Sequence, residues 1–356
     1  MSRFLSSRFS SLEAYVPGEQ PQDKKYIKLN TNESPYPPSP RVIEAVNSRE
    51  VGDLRLYSDP DTRVLTRAIA DHFGVGTDCV YTGNGSDDIL NFSFMAFCDG
   101  SKGAAFPDIS YGFYEVYGRL YGIDCLKVPL REDFSIVPED YYGLGRTIVI
   151  ANPNAPTGLA LTREQLRGIV EHNPGDVVLI DEAYVDFGGE SCVSMTKEYN
   201  NLIVAQTFSK SRSLAGARLG FAIACPELIA DLNKIKFSTN PYCINRLSSL
   251  AGVAAMQDVE YFRENCEKII KTRAETVAEL DRLGFETVPS STNFIFTHKP
   301  GVSGAMLYEK LRERGILVRR WDKPRIENHL RITIGLPEEM RALTEAIKQI
   351  LEEQQP

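Results

Sequence analysis

The sequence predicts an α/β protein, with a large domain built on a mostly parallel sheet and a smaller α+β domain. Two observations carry this. Apolar, β-branched runs ending near Ala151, Asp181 and Gln206 alternate with helical stretches such as Thr162 to His172. That alternation is the pattern of parallel strands with helices on both faces. Beyond about Tyr261 the pattern changes to a charged helix, Phe262 to Leu283, and then to helices with a few short strands.

In chain order, Gly83-Asn84-Gly85-Ser86-Asp87 precedes an apolar stretch, Ile89 to Phe97, that reads as a helix. Free N–H groups and a positive dipole end at such a helix start suit an anion. Gly85, Ser86 and Asp87 are therefore candidate phosphate ligands, or a plain N-cap. Thr147 to Gly158 is a β-branched strand that stops at an Asn/Pro/Gly cluster, which is turn chemistry. Val177 to Phe187 is another apolar strand, running into Asp181 with Tyr184 three residues on. Asp181 suits either a buried partner for a cationic ring nitrogen or a helix cap. Leu202 to Ala205 reads as a buried strand ending in Thr207, Ser209 and Lys210, with Arg218 beyond a small-residue loop. Ligands of open α/β sheets sit beyond the carboxyl ends of strands. A lysine there, beside hydroxyls and an arginine, suggests a pyridoxal phosphate Schiff base. After the charged helix come residues 285–297, a further helix, and the strand-like R-I-T-I-G at 331–335. Arg331 is a cation inside that apolar pattern.

Composition narrows the class. The chain has 356 residues, 42% of them hydrophobic, enough for two domains with a large core. A net charge of −8 with interspersed signs disfavours nucleic acid as a partner. No apolar run is long enough for a transmembrane helix, and the basic, serine-rich start lacks the apolar core of a secretion signal. Seven scattered cysteines fit a reducing compartment, which points to the cytoplasm. Four unclustered histidines suggest no metal site.

Three segments together, N-P-N-A-P-T-G (152–158), D-E-A-Y (181–184) and S-K-S-R-S-L-A-G-A-R-L-G (209–220), resemble the signature set of the fold type I, class I/II aminotransferases. The resemblance implies Lys210 as the Schiff-base lysine, Arg218 on the cofactor phosphate and Asp181 on the pyridine nitrogen. The family usually has Asn before P-T-G, bonding the ring hydroxyl, and here that position is Ala155. Asn152, Asn154 or Tyr184 is expected to serve instead. Tyr111, in S-Y-G-F-Y, is implied to stack on the cofactor ring.

The outer motifs A-Y-V-P-G-E-Q-P (14–21), L-N-T-N-E-S-P-Y-P (29–37), L-Y-S-D-P (56–60), Y-T-G-N-G-S-D-D-I-L (81–90) and 315–335 are similar to the histidinol-phosphate aminotransferase branch. That branch implies transfer of an amino group between L-histidinol phosphate and 2-oxoglutarate in histidine biosynthesis. It implies that Tyr57 reaches the phosphate of a partner subunit, so the active unit is a homodimer. It places Tyr15, Asn32, Arg319 and Arg331 at the substrate, because forked guanidinium groups suit both a phosphate ester and a carboxylate. It also joins residues 1–45 to 262–356 as a discontinuous small domain beside a large domain of 46–261. A threonine-phosphate decarboxylase and a broad aromatic aminotransferase share the fold and cofactor and stand as alternatives. A non-enzymatic descendant is disfavoured, because Lys210, Asp181, Tyr184 and Arg218 are all present.

Overall fold

The computed structural model describes residues 4–9, 12–13 and 15–354. Its centre is a seven-stranded sheet in the order Val80–Gly83, Gly220–Ile223, Leu202–Thr207, Val178–Asp181, Thr147–Ala151, Ala104–Pro107, Cys125–Val128. From Leu202–Thr207 to Cys125–Val128 every pairing is parallel. Gly220–Ile223 runs antiparallel to both its neighbours.

The continuous apolar runs have a simple cause. Helices cover both faces, so every residue of Leu202–Thr207 and of Thr147–Ala151 is buried. Successive side chains then divide between two cores. Ile148, Ile150, Val178, Ile180, Leu202 and Val204 enter one, while Val149, Leu179, Ile203 and Ala205 enter the other. The helix Arg163–Glu171 begins at a capping box of Thr162 and Gln165 and buries Leu166, Ile169 and Val170. Each such side chain stabilises the fold by about 1.5–3 kcal/mol.

The C-terminal region has its own core. Leu330–Thr333, Phe294–His298 and Glu286–Val288 form an antiparallel sheet. Helices Val259–Arg282 and Pro337–Glu353 pack together beside it. Ile27–Lys28 pairs in parallel with Ile316–Leu317, and Leu29 joins the core of Ile269, Ile295, Ile332 and Ile347. The N-terminal segment is thus tied to this region by backbone and side chain. The helix Pro40–Ala45 lies just before the expected boundary at residue 45. It packs on Arg246–Gln257 and sends Val42 into the core under the large sheet. A fourth cluster of Leu130, Phe134, Phe296 and Ile326, flanked by Ile109 and Trp321, links the two regions. Among the described residues no helix is long and apolar enough to cross a membrane, and no cluster of potential metal ligands occurs.

Candidate active site

The parallel strands point the same way, so their carboxyl ends meet at one edge. There Ala151, Asp181 and Thr207 border a cleft of about 500 Å³. Its opposite wall comes from Asn30 to Glu33 and from the segment that carries Arg319, Trp321 and Arg331.

Lys210 opens into this cleft and donates from Nζ to the Thr31 carbonyl at 3.2 Å. Burial of the amine, reinforced by the Arg331 charge, lowers its pKa from 10.5 to about 8. Asp181 is only 4% exposed. It accepts bonds from the Tyr114 hydroxyl at 2.9 Å and the Ala183 N–H at 3.2 Å. Burial outweighs both bonds and raises its pKa from 3.8 to about 6. Tyr184 accepts at its hydroxyl from Asn32 Nδ2 at 2.9 Å. Asn32 is itself pinned by Thr333, which accepts from its N–H and donates to its Oδ1.

A corner of the cleft forms where Gly83–Ser86 turns into the helix Ser86–Phe97. Gly85 has φ +83°, a left-handed conformation that glycine adopts without steric cost. Arg218 also sits left-handed, at φ +53°, and donates to Asp87 at 2.9 Å. Tyr111 donates to the other Asp87 oxygen at 2.9 Å. One carboxylate thus ties Arg218 to Tyr111. A Cβ on Gly220 would lie 2.5 Å from both the Gly85 carbonyl carbon and the Ser86 nitrogen, so only glycine fits beneath this turn. Thr207, Ser209 and Ser86 line the same corner.

Arg331 donates from Nη2 to the Asn30 carbonyl at 3.0 Å, while its buried Nε has no partner. Arg319 lies alongside through paired backbone bonds of 3.0 and 2.8 Å. Its guanidinium donates to the Val16 and Pro17 carbonyls, which draws Tyr15 against Phe113 at 4.3 Å between ring centroids.

Some expected residues stand elsewhere. Asn152 bonds both ways with the Leu161 backbone, and Asn154 bonds Ser110, Thr157 and the Ile109 carbonyl. Neither lines the cleft, because both side chains are spent shaping the turn, whereas Tyr184 does line it. Tyr57 is 84% exposed, stacked on Tyr242 and remote from the cleft of its own chain. Two participants escaped the sequence reading. Tyr114 follows Tyr111 at helical spacing, and from within the core its hydroxyl reaches Asp181. Trp321, the only tryptophan, sits in the cleft wall.

The residues fit pyridoxal phosphate. A fully enclosed carboxylate raised in pKa suits a cationic ring nitrogen, a reactive amine lies in the same cleft, and Arg218 with the Ser86 turn suits a phosphate.

The comparisons agree with this chemistry. The family profile described as Aminotransferase class I and II matches residues 24–347. The chain is 51% identical over 351 residues to a histidinol-phosphate aminotransferase of Marinomonas sp. (strain MWYL1), covering 98% of this chain and 99% of that one. It is 50% identical over 352 residues to one from Brachyspira hyodysenteriae, covering 99% of both. The solved histidinol-phosphate aminotransferase of Sinorhizobium meliloti, in complex with pyridoxal-5'-phosphate, matches with a TM-score of 0.89. That match covers 99% of this chain and all of that one at 24% identity, and so speaks for the fold. By these matches the chain belongs to the class I and II aminotransferase family.

Proposed function

We propose that this chain is a pyridoxal-phosphate-dependent histidinol-phosphate aminotransferase. It moves the amino group between L-histidinol phosphate and 2-oxoglutarate, giving imidazole acetol phosphate and glutamate in histidine biosynthesis. The observation that carries this reading is the pairing of Lys210 with Arg331 in one cleft. Together they form a proton-transfer amine beside a guanidinium that lines the same cleft, with a buried Nε that has no protein partner.

The cofactor, when bound, supplies a carbonyl carbon for the amino group and a ring that withdraws electrons. Asp181, Tyr184, Lys210, Ser86, Thr207, Ser209 and Arg218 would hold it. Asp181 keeps negative charge at the cleft floor, and Tyr114 fixes its carboxylate plane through the 2.9 Å bond. Lys210 Nζ moves the proton at the substrate carbon that carries nitrogen. A pKa near 8 lets it take and return that proton close to neutrality. Tyr184, oriented by Asn32, holds the polar edge of the ring. Arg331 and Arg319 take the phosphate in one half-reaction and a carboxylate in the other. Tyr15 covers the site from the strap that Arg319 holds.

The active unit is a homodimer in the cytoplasm. Tyr57 is exposed and stacks on exposed Tyr242, two aromatic rings suited to burial against a second copy. From there Tyr57 reaches the partner's phosphate corner. We divide the chain into a large domain of 46–261 and a small domain of 1–45 with 262–356, with the helix Pro40–Ala45 leaning on the large one.

Steady-state kinetics on the purified chain test the reading, with histidinol phosphate, phenylalanine, tyrosine and threonine phosphate as substrates. Histidinol phosphate should be the preferred amino donor, and threonine phosphate should release no carbon dioxide. Failure of histidinol phosphate beside good turnover of phenylalanine or tyrosine would reassign the chain as an aromatic aminotransferase.

A further inference from the structure

The wall of the cleft opposite the large sheet is a loop, residues 320–328, that contributes Trp321, Lys323 and Ile326 to the lining. Its two limbs are closed by Arg320, whose Nε donates to the Glu327 carbonyl at 2.7 Å. The Trp321 ring lies close to both arginines of the substrate pocket. Arg319 Cζ is 5.5 Å and Arg331 Cζ is 5.2 Å from its centroid. Both guanidinium groups are therefore held in part by one aromatic surface. A displacement of Trp321 would remove a contact that both share, leaving Arg331 on the Asn30 carbonyl and Phe294 and Arg319 on the Val16 and Pro17 carbonyls.

Within the loop it is Arg325 that ties it by hydrogen bonds to the large-sheet side of the cleft. Its Nη2 donates to the Leu130 carbonyl at 3.1 Å and the Arg131 carbonyl at 2.5 Å. Its Nη1 donates to Asp108 at 3.4 Å, and the guanidinium lies 5.6 Å from the Phe134 ring centroid. Asp108 in turn accepts from the Leu130 N–H at 2.9 Å. All these partners belong to the large-sheet side of the cleft. Arg325 has φ +72°, a left-handed conformation that an arginine adopts only at a cost on the order of 1 kcal/mol or more. The arm therefore keeps its reach although the backbone beneath it is strained. Next to it, Ile326 is 3% exposed and packed with Leu130 and Phe134.

We propose that Arg325 is a positioning residue for substrate anions. It clamps the 320–328 loop across the cleft, and through Trp321 it sets the spacing of Arg319 and Arg331. It touches neither substrate nor cofactor. The consequence for specificity follows from its place. Loss of the clamp loosens recognition of the anionic end of both substrates and leaves proton transfer at Lys210 intact. The proposal rests on the aminotransferase reading for its kinetic arm only.

The test uses the cofactor-loaded enzyme and two variants, Arg325→Gly and Arg325→Asn. Both residue types tolerate a left-handed φ, so the arm is removed without adding backbone strain. Thermal unfolding verifies that they fold. Trp321 is the only tryptophan, so tryptophan emission and its quenching by acrylamide report on this loop alone. Quenching should increase in both variants. KM for histidinol phosphate and for glutamate should each rise on the order of tenfold, because small displacements of a binding group are costly. kcat should stay near that of the parent, the mark of lost binding that is uniform along the reaction. Arg325→Lys keeps the charge without the fork and should recover little. Unchanged quenching, unchanged KM values, or a fall in kcat alone would overturn the proposal. If the parent enzyme does not use histidinol phosphate, the substrate reading fails, while quenching and the glutamate KM still decide the clamp.

Discussion

Replacing Asp181 with Asn should make the cofactor-free protein more stable and the enzyme nearly inactive. The carboxyl is enclosed and has only two hydrogen bonds to offset its desolvation. Burial raises its pKa from 3.8 to about 6. At about 1.4 kcal/mol for each tenfold in proton affinity, the ionised carboxylate destabilises the empty fold by on the order of 3 kcal/mol. The sign follows from proton counting. Between pH 3.8 and about 6 the folded chain holds this proton more often than the unfolded chain. Stability therefore falls as pH rises through that window and stays lower above it. Asn cannot ionise, keeps the volume and still accepts from Tyr114. The variant's advantage should be near zero at pH 4, grow through pH 5 and level off by pH 7. Urea unfolding of both cofactor-free proteins across that range measures it. With cofactor bound the order should reverse, because the carboxylate then has a cationic partner. An Asn variant no more stable than the parent at pH 7, or a gap that persists unchanged at pH 4, would refute the claim that uncompensated burial dominates this group.

Three further outcomes are expected. Reductive capture of added pyridoxal phosphate by the cofactor-free protein should rise with pH until about 8, where Lys210 loses its proton, and then level. Peptide mapping should place the label on Lys210, and a rise continuing to pH 10 would mean an ordinary exposed lysine. Gly220→Ala puts a Cβ 2.5 Å from the backbone of Gly85 and Ser86, so the turn must retreat. Such overpacking costs about 1–3 kcal/mol, and equilibrium dialysis should show weaker cofactor retention in a protein that still folds. Arg331→Lys keeps the charge but loses the fork, and should raise KM for both histidinol phosphate and glutamate. The expected rise is about tenfold or more, from the roughly 1.5–3 kcal/mol of a charged hydrogen bond; an effect on one substrate alone would separate their anion sites.

The strand ends were legible in the sequence because their cause is local. A strand covered on both faces must be apolar throughout, so the first polar residues after it mark the edge of the sheet. Thr207, Lys210 and Asp181 stand out for that reason. The glycine turn before Ser86 was legible for a similar reason, since helix starts and left-handed positions leave compositional marks. The antiparallel insertion of Gly220–Ile223 was not, because strand direction leaves no mark in a buried four-residue run. That the helix Pro40–Ala45 leans on the large-sheet core was not legible either, because that contact depends on one buried side chain, Val42.

The sequence by itself determined the α/β architecture and singled out the lysine, the carboxylate and the arginine that line one cleft. Each sits within a few residues of a periodic element that announces it. Tertiary structure alone decided what surrounds them. It brought Thr31 to Lys210 across 179 positions and set Tyr114 rather than a cation on Asp181. It spent Asn152 and Asn154 on turn geometry, and it set Trp321 against two arginines twelve residues apart. These are contacts between segments remote in the chain or folded back on one another. They follow from how the sheets and loops pack, and hydrophobic periodicity carries no information about which polar atoms that packing leaves face to face.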